Sequence, residues 1–207
     1  MRLGRVVVLG LCLCAAAGGP VLAVITGSSH DFSNASWNNS GETCIVCHAP
    51  HGGTALADAP LWNHSLTTQN FTLYSSPTLD AADLSQPAGT TRLCLSCHDG
   101  TIALDSFGGS TSGTHFLGTP IAPGGNLNSE HPISFTYNDA LATADGELNP
   151  PSTTTSGLGG TIADDLLFNN KVECASCHDV HNALGTGGYL LVKSNAGSGL
   201  CLTCHAK

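Results

Sequence analysis

The chain has 207 residues, 15 of them acidic and six basic, for a formal net charge of −9. That balance disfavours nucleic acid and anionic membrane surfaces as partners. The length would permit an ordinary buried core, but aromatics are only 5% of residues while histidines and cysteines number 10 each, which points away from side-chain packing as the organising force.

Residues 1–23 read as a secretory signal peptide. Arg2 and Arg5 form a positive n-region, Val6 to Ala17 is apolar, and Val21-Leu22-Ala23 offers small-residue cleavage chemistry. The mature chain then starts at Val24, with cleavage after Ala17 as the alternative. Cys12 and Cys14 stand in a poor lipobox, so no lipid anchor is expected. No later apolar run approaches the ~20 residues that span a bilayer. The expected location is extracellular or at the cell surface, with the periplasm as the alternative. Removal of the signal leaves 184 residues and eight cysteines, and it takes away Met1, the sole methionine. Four basic residues (Arg92, Lys171, Lys193 and Lys207) against 15 acidic ones give the mature chain a formal charge of −11.

Residues 24–41 are polar, rich in Asn and Ser, and read as an extended N-terminal arm bearing His30. Gly41 to His51 predicts a short helical turn. Residues 52–91 form a Pro- and Thr-spotted connection with Trp62, Phe71 and Tyr74 as packing anchors. Thr91 to Leu104 predicts a second short helix, interrupted by the Asp99-Gly100 turn signal. Residues 106–165 hold 10 Gly and five Pro and show no sustained helical or strand period. Residues 162–184 predict a third short helix, and Ser198 a cap for the last one. No domain boundary is apparent, so residues 24–207 read as a single domain. The sequons at Asn34, Asn38, Asn63 and Asn70 are as well explained by chance in an Asn/Ser/Thr-rich chain.

Four copies of one pentapeptide organise this chain: Cys44-Ile45-Val46-Cys47-His48, Cys94-Leu95-Ser96-Cys97-His98, Cys174-Ala175-Ser176-Cys177-His178 and Cys201-Leu202-Thr203-Cys204-His205. CxxCH is the attachment signal for c-type haem. Each Cys joins a vinyl group as a thioether, and the adjoining His reaches the iron. CxxC alone also serves zinc and redox dithiols, but a His after every second Cys argues for haem. The four motifs use all eight mature cysteines, so four covalently attached haem c groups are expected, with His48, His98, His178 and His205 as proximal ligands. The expected fold is coil-rich, with short α-helices, little β structure and a stacked haem chain as its core.

With no methionine, the distal ligand must be His, or a site stays open. His51 and His181 each follow a proximal His by three residues and cannot reach the far face of their own haem, so each is expected on a neighbouring one. Pro132 holds His131 in an extended backbone, and His30 completes the expected distal set. His64 and His115 are left for surface or supporting roles. A fully bis-His protein has no vacant iron, which argues for electron transfer rather than enzyme activity; a reductase would need one open haem.

Ser29-His30-Asp31-Phe32, Cys47-His48-Ala49-Pro50-His51-Gly52, Pro60-Leu61-Trp62-Asn63, His98-Asp99-Gly100-Thr101, His131-Pro132-Ile133-Ser134-Phe135-Thr136-Tyr137, Cys177-His178-Asp179-Val180-His181-Asn182 and Leu202-Thr203-Cys204-His205, in that order, resemble the OmcE-type tetrahaem cytochromes. The likeness spans most of the mature chain and is weakest around His115 and in residues 145–162. It implies a coil-rich, bis-His subunit, with His30, His51, His131 and His181 as distal ligands. It also implies head-to-tail polymerisation into an extracellular conductive filament, in which the adjoining subunit supplies one iron ligand. The N-terminal position of His30 makes it the expected crossing residue, with His51 or His181 as alternatives. The electron donors and acceptors would be other cytochromes or extracellular oxidants. A monomeric periplasmic shuttle is the second reading, and a multihaem oxyanion reductase the third.

Overall fold

The structure, a computed structural model, describes residues 24–183 and 189–206; the expected signal peptide lies outside them. Irregular backbone dominates, as the density of Gly, Pro, Ser, Thr and Asn dictates. The helices are short: α1 (Gly89–His98), α2 (Asp139–Asp145), α3 (Ile162–Asp165) and α4 (Cys201–Cys204). Strand β1 (Thr54–Leu56) pairs antiparallel with β2 (Ala59–Trp62), and β3 (Phe135–Thr136) with β4 (Lys171–Val172). The chain is therefore coil-rich with short helices and little strand. Among the described residues no helix is long and apolar enough to cross a membrane.

Residues 24–41 correct the expectation of an extended arm. Asp31 N bonds Ser28 O, Ala35 N bonds Phe32 O, Asn38 N bonds Ala35 O and Gly41 N bonds Asn38 O, a run of consecutive turns. The Asn and Ser residues that suggested a solvated arm are here turn formers. Asn38 is only 5% exposed, and its side-chain amide donates to Phe32 O and Glu42 O. Val24 N donates to His181 O at 2.8 Å, which ties the start of the segment to the third motif.

Helix α1 ends at the Asp99-Gly100 turn, where the interruption was expected, and Gly100 takes φ 75°. The stretch 106–165 is more regular than its composition suggested. Asn138 caps α2 by accepting Leu141 N at 2.9 Å, and left-handed Gly146 closes the helix. Thr161 and Asp164 form a reciprocal capping box on α3. Both ends of α2 follow from side chains that satisfy orphan backbone groups.

Two small apolar clusters replace a single core. One holds Phe135, Tyr137, Ala142, Ile162 and Leu166, with Cys204 at its margin. The other gathers Phe71, Leu95, Ala122 and Leu127 around the buried face of α1. Phe71 packs in this second cluster, while Trp62 lies edge-on to both His48 and His64. The Tyr137 hydroxyl donates to Asn149 O and Cys204 O, clamping the 149 loop onto α4. Tyr137→Phe strands those carbonyls, at a cost of about 1 to 2 kcal/mol. Chemical denaturation of the haem-loaded protein reads that loss directly.

Candidate haem sites

Every CxxCH motif closes one turn. His48 N bonds Cys44 O at 2.8 Å, while His178 N to Cys174 O and His205 N to Cys201 O are each 3.0 Å. The second motif forms the C-terminal end of α1. One turn brings positions i, i+3 and i+4 to a common face, which groups two sulfurs and an imidazole. The third motif departs from the expected helix: α3 lies upstream, and Cys174–Ser176 is an isolated tight turn. Ser198 does not cap α4; Asn195 Oδ1 instead accepts Leu200 N at 3.1 Å.

Three of the thiols are held in the protonated form, while the contact with Cys94 lowers Cys174. Burial pushes Cys47 and Cys204 up to about 11 and Cys97 up to about 12, with nearby thiols adding to it. A reactive dithiol requires a depressed thiol. Among the described residues no three His, Cys, Asp or Glu side chains gather as a metal site. The same interactions show the motifs as neighbours in chain order. Cys97 feels Cys47, Cys94 contacts Cys174, and Cys204 feels Cys177.

Three pairs of imidazoles face one another. Ring centres are 5.9 Å apart for His30 and His98, 6.3 Å for His48 and His181, and 6.3 Å for His131 and His205. Two imidazoles bound to one metal through bonds of about 2 Å place their ring centres about 6 Å apart. Each pair joins an expected proximal His to an expected distal one, so the residues fit haem iron held between two histidines. His30 thus lies beside His98 of its own chain.

Backbone carbonyls orient the rings. His48 Nδ1 is 2.8 Å from Pro60 O, His178 Nδ1 is 2.8 Å from Tyr189 O, and His131 Nδ1 is 2.8 Å from Pro132 O. A carbonyl at Nδ1 fixes the tautomer and leaves Nε2 for the metal. Burial, reinforced by His98 and His178, lowers His30 to about 4, and burial with His178 also lowers His98. Both rings are thus in the neutral, ligating form near pH 7. His30 Nδ1 is buried without a protein hydrogen-bond partner.

The first and third motifs belong to one repeated unit that the sequence did not announce. In each, a return strand crosses back over the CxxCH turn. His48 bridges Trp62, and His178 bridges Leu191. Ala49 N bonds Leu61 O, as Asp179 N bonds Leu190 O; Asn63 N bonds Cys47 O, as Val192 N bonds Cys177 O. Leu61 and Leu190 share an unusual left-handed backbone, φ 54° and 51°. In the first unit Gly53 is required, because a Cβ there would stand 2.5 Å from the Leu61 backbone. His51 and His181 occupy equivalent places in the two units. Their surroundings differ: His181 faces His48, while among the described residues no imidazole faces His51 or His178. Both lie at the surface.

The two spare histidines hold protein contacts instead. His64 is buried, with Nδ1 at 2.9 Å from Ser65 O and Nε2 at 3.1 Å from Ala103 O. His115 pairs with Asp105 at 3.0 Å and lies near the Trp37 ring.

A family described as "Doubled CXXCH motif" matches residues 168–207, the stretch holding the third and fourth motifs. No curated protein matches the chain. The doubled motif points to a multihaem c-type cytochrome, with covalently bound haem c and an electron-transfer role.

Proposed function

We propose that the chain carries four covalent haem c groups and is the subunit of an extracellular electron-conducting filament of the OmcE type. When bound, haem iron supplies a one-electron ferric/ferrous couple. The protein's part is to hold each iron between two imidazoles and to keep successive groups close. His30, His181 and His131 serve the irons of His98, His48 and His205. With haem bound, the iron of His178 would take the partner subunit's His51.

One observation carries this reading: three in-chain pairs leave one proximal and one distal histidine, both at the surface and in equivalent repeat units. A reciprocal, two-fold relation between the units would pair His51 with His178 just as it pairs His181 with His48. Among the described residues His51 and His178 form no ring pair, which supports an open relation. Open, heterologous contacts generate helical polymers. Exposed apolar side chains stand beside both residues. Leu61, 42% exposed, packs its backbone against Gly53 beside His51, while Val180 (38%) and Tyr189 (82%) flank His178. Such residues suit a docking face between copies.

Negative-stain microscopy of the secreted fraction tests the reading. Filaments of this protein are the expected result. A correctly exported, haem-loaded protein that stays monomeric at high concentration would support the shuttle instead.

A further inference from the structure

Glu173 is a buried charge that iron ligation does not use. It is 3% exposed and immediately precedes Cys174. Its carboxylate accepts Thr91 N at 3.3 Å and Ser134 Oγ at 3.1 Å, and its own N–H donates to Ser176 Oγ at 2.9 Å. Thr91 belongs to α1, which bears the second motif. The Thr91 hydroxyl in turn accepts Cys174 N at 3.0 Å, and Cys94 contacts Cys174. The carboxylate is thus lodged at the joint between the second and third haem-attachment turns.

The charged groups around it leave it poorly compensated. Lys171 on β4 acts on it, but the Lys171 ammonium is spent on Ser134 O at 3.2 Å and Asp83 at 3.9 Å. Asp58 approaches from the β1–β2 loop; a Cβ on Gly89 would stand 3.3 Å from Asp58 Oδ2 and 3.5 Å from Glu173 Oε1. Burial holds the Glu173 carboxyl above its ordinary value, against the hydrogen bonds from Thr91 and Ser134. Added negative charge nearby strengthens proton binding further, and more so where water is excluded.

We infer that Glu173 is a proton-coupled tuning residue, binding one proton when an electron arrives at the joint of the second and third haem turns and releasing it when the electron leaves. The inference rests on the haem reading above. With haem bound, the electron would come from a neighbouring haem, whose iron is oxidised as the iron at the joint is reduced. One proton from solvent hydronium would join a Glu173 carboxylate oxygen, the hydronium O–H bond breaking to leave water as the carboxyl O–H bond forms. Reoxidation returns both. At pH values where Glu173 stays ionised between electrons, its charge disfavours reduction of the adjacent irons.

The test is spectroelectrochemical titration across pH of protein whose mass already shows four haems. In the wild type, two potentials fall as pH rises above the ordinary carboxyl range. Glu173→Gln removes that dependence and shifts the same two potentials upward at neutral pH, while Glu173→Asp keeps the dependence. Ser134→Ala deletes a donor to the charged form and moves the sensitive window to higher pH. A Glu173→Gln protein with the wild-type pH dependence, or a Ser134→Ala protein with an unmoved window, overturns the proposal. A haem shortfall in the mass would instead contradict the haem reading, before any potential is measured.

Discussion

His51→Ala is expected to abolish filaments and leave one iron in four without its sixth ligand. His51 is exposed and lies on the loop after the first motif, so its loss removes no buried packing. The three in-chain pairs at 5.9 to 6.3 Å do not involve it. The variant should therefore fold, carry its full haem complement and stay monomeric. Optical spectra should show three low-spin haems and one that binds carbon monoxide rapidly. By contrast, His30→Ala should open the iron of His98 within the subunit and spare the His51–His178 joint. Normal filaments of His51→Ala would return the crossing role to another histidine. The sequence favoured His30 for the crossing role because of its place near the expected mature start, with His51 or His181 as alternatives; the proposal takes His51. The turns of residues 28–41 and the contact with His98 hold His30 in place.

The second large effect concerns the haems themselves. The denatured mature protein should exceed its polypeptide mass by four haem masses. Replacing Cys174 and Cys177 together with Ala should remove one haem mass and destabilise the fold by several kcal/mol, because cofactor binding energy is also folding energy. Little else can compensate, since the apolar clusters are small and separate. The loss should also spread to the second site, because Glu173, Thr91 and Cys174 bond across the joint. Mass spectrometry and denaturant titration report the two effects separately. A wild-type mass short by one haem would contradict the count.

How much of this was legible in the sequence follows from the range of each interaction. The CxxCH turns are local and covalent in purpose, so the sequence announces them directly. The α2 caps, Asn138 and Gly146, were also readable, but Gly and Pro on either side masked them. The place of His30 was not readable, because it depends on packing against a residue 68 positions away, and no local pattern encodes that. The repeated unit was hidden for a related reason. Its identity lies in backbone hydrogen bonds and in the left-handed Leu61 and Leu190, while the side chains around them differ. Glu173 escaped notice because a lone Glu before a Cys carries no signal until Thr91 and Ser134 are found beside it.

The most direct test is a high-resolution electron cryomicroscopy map of the secreted filament at the iron held by His178. Continuous density from that iron to the partner subunit's His51 is the predicted result, with the other three irons ligated within the chain by His30, His131 and His181. A map in which His51 ligates an iron of its own subunit, or in which another residue bridges the interface, would contradict the account.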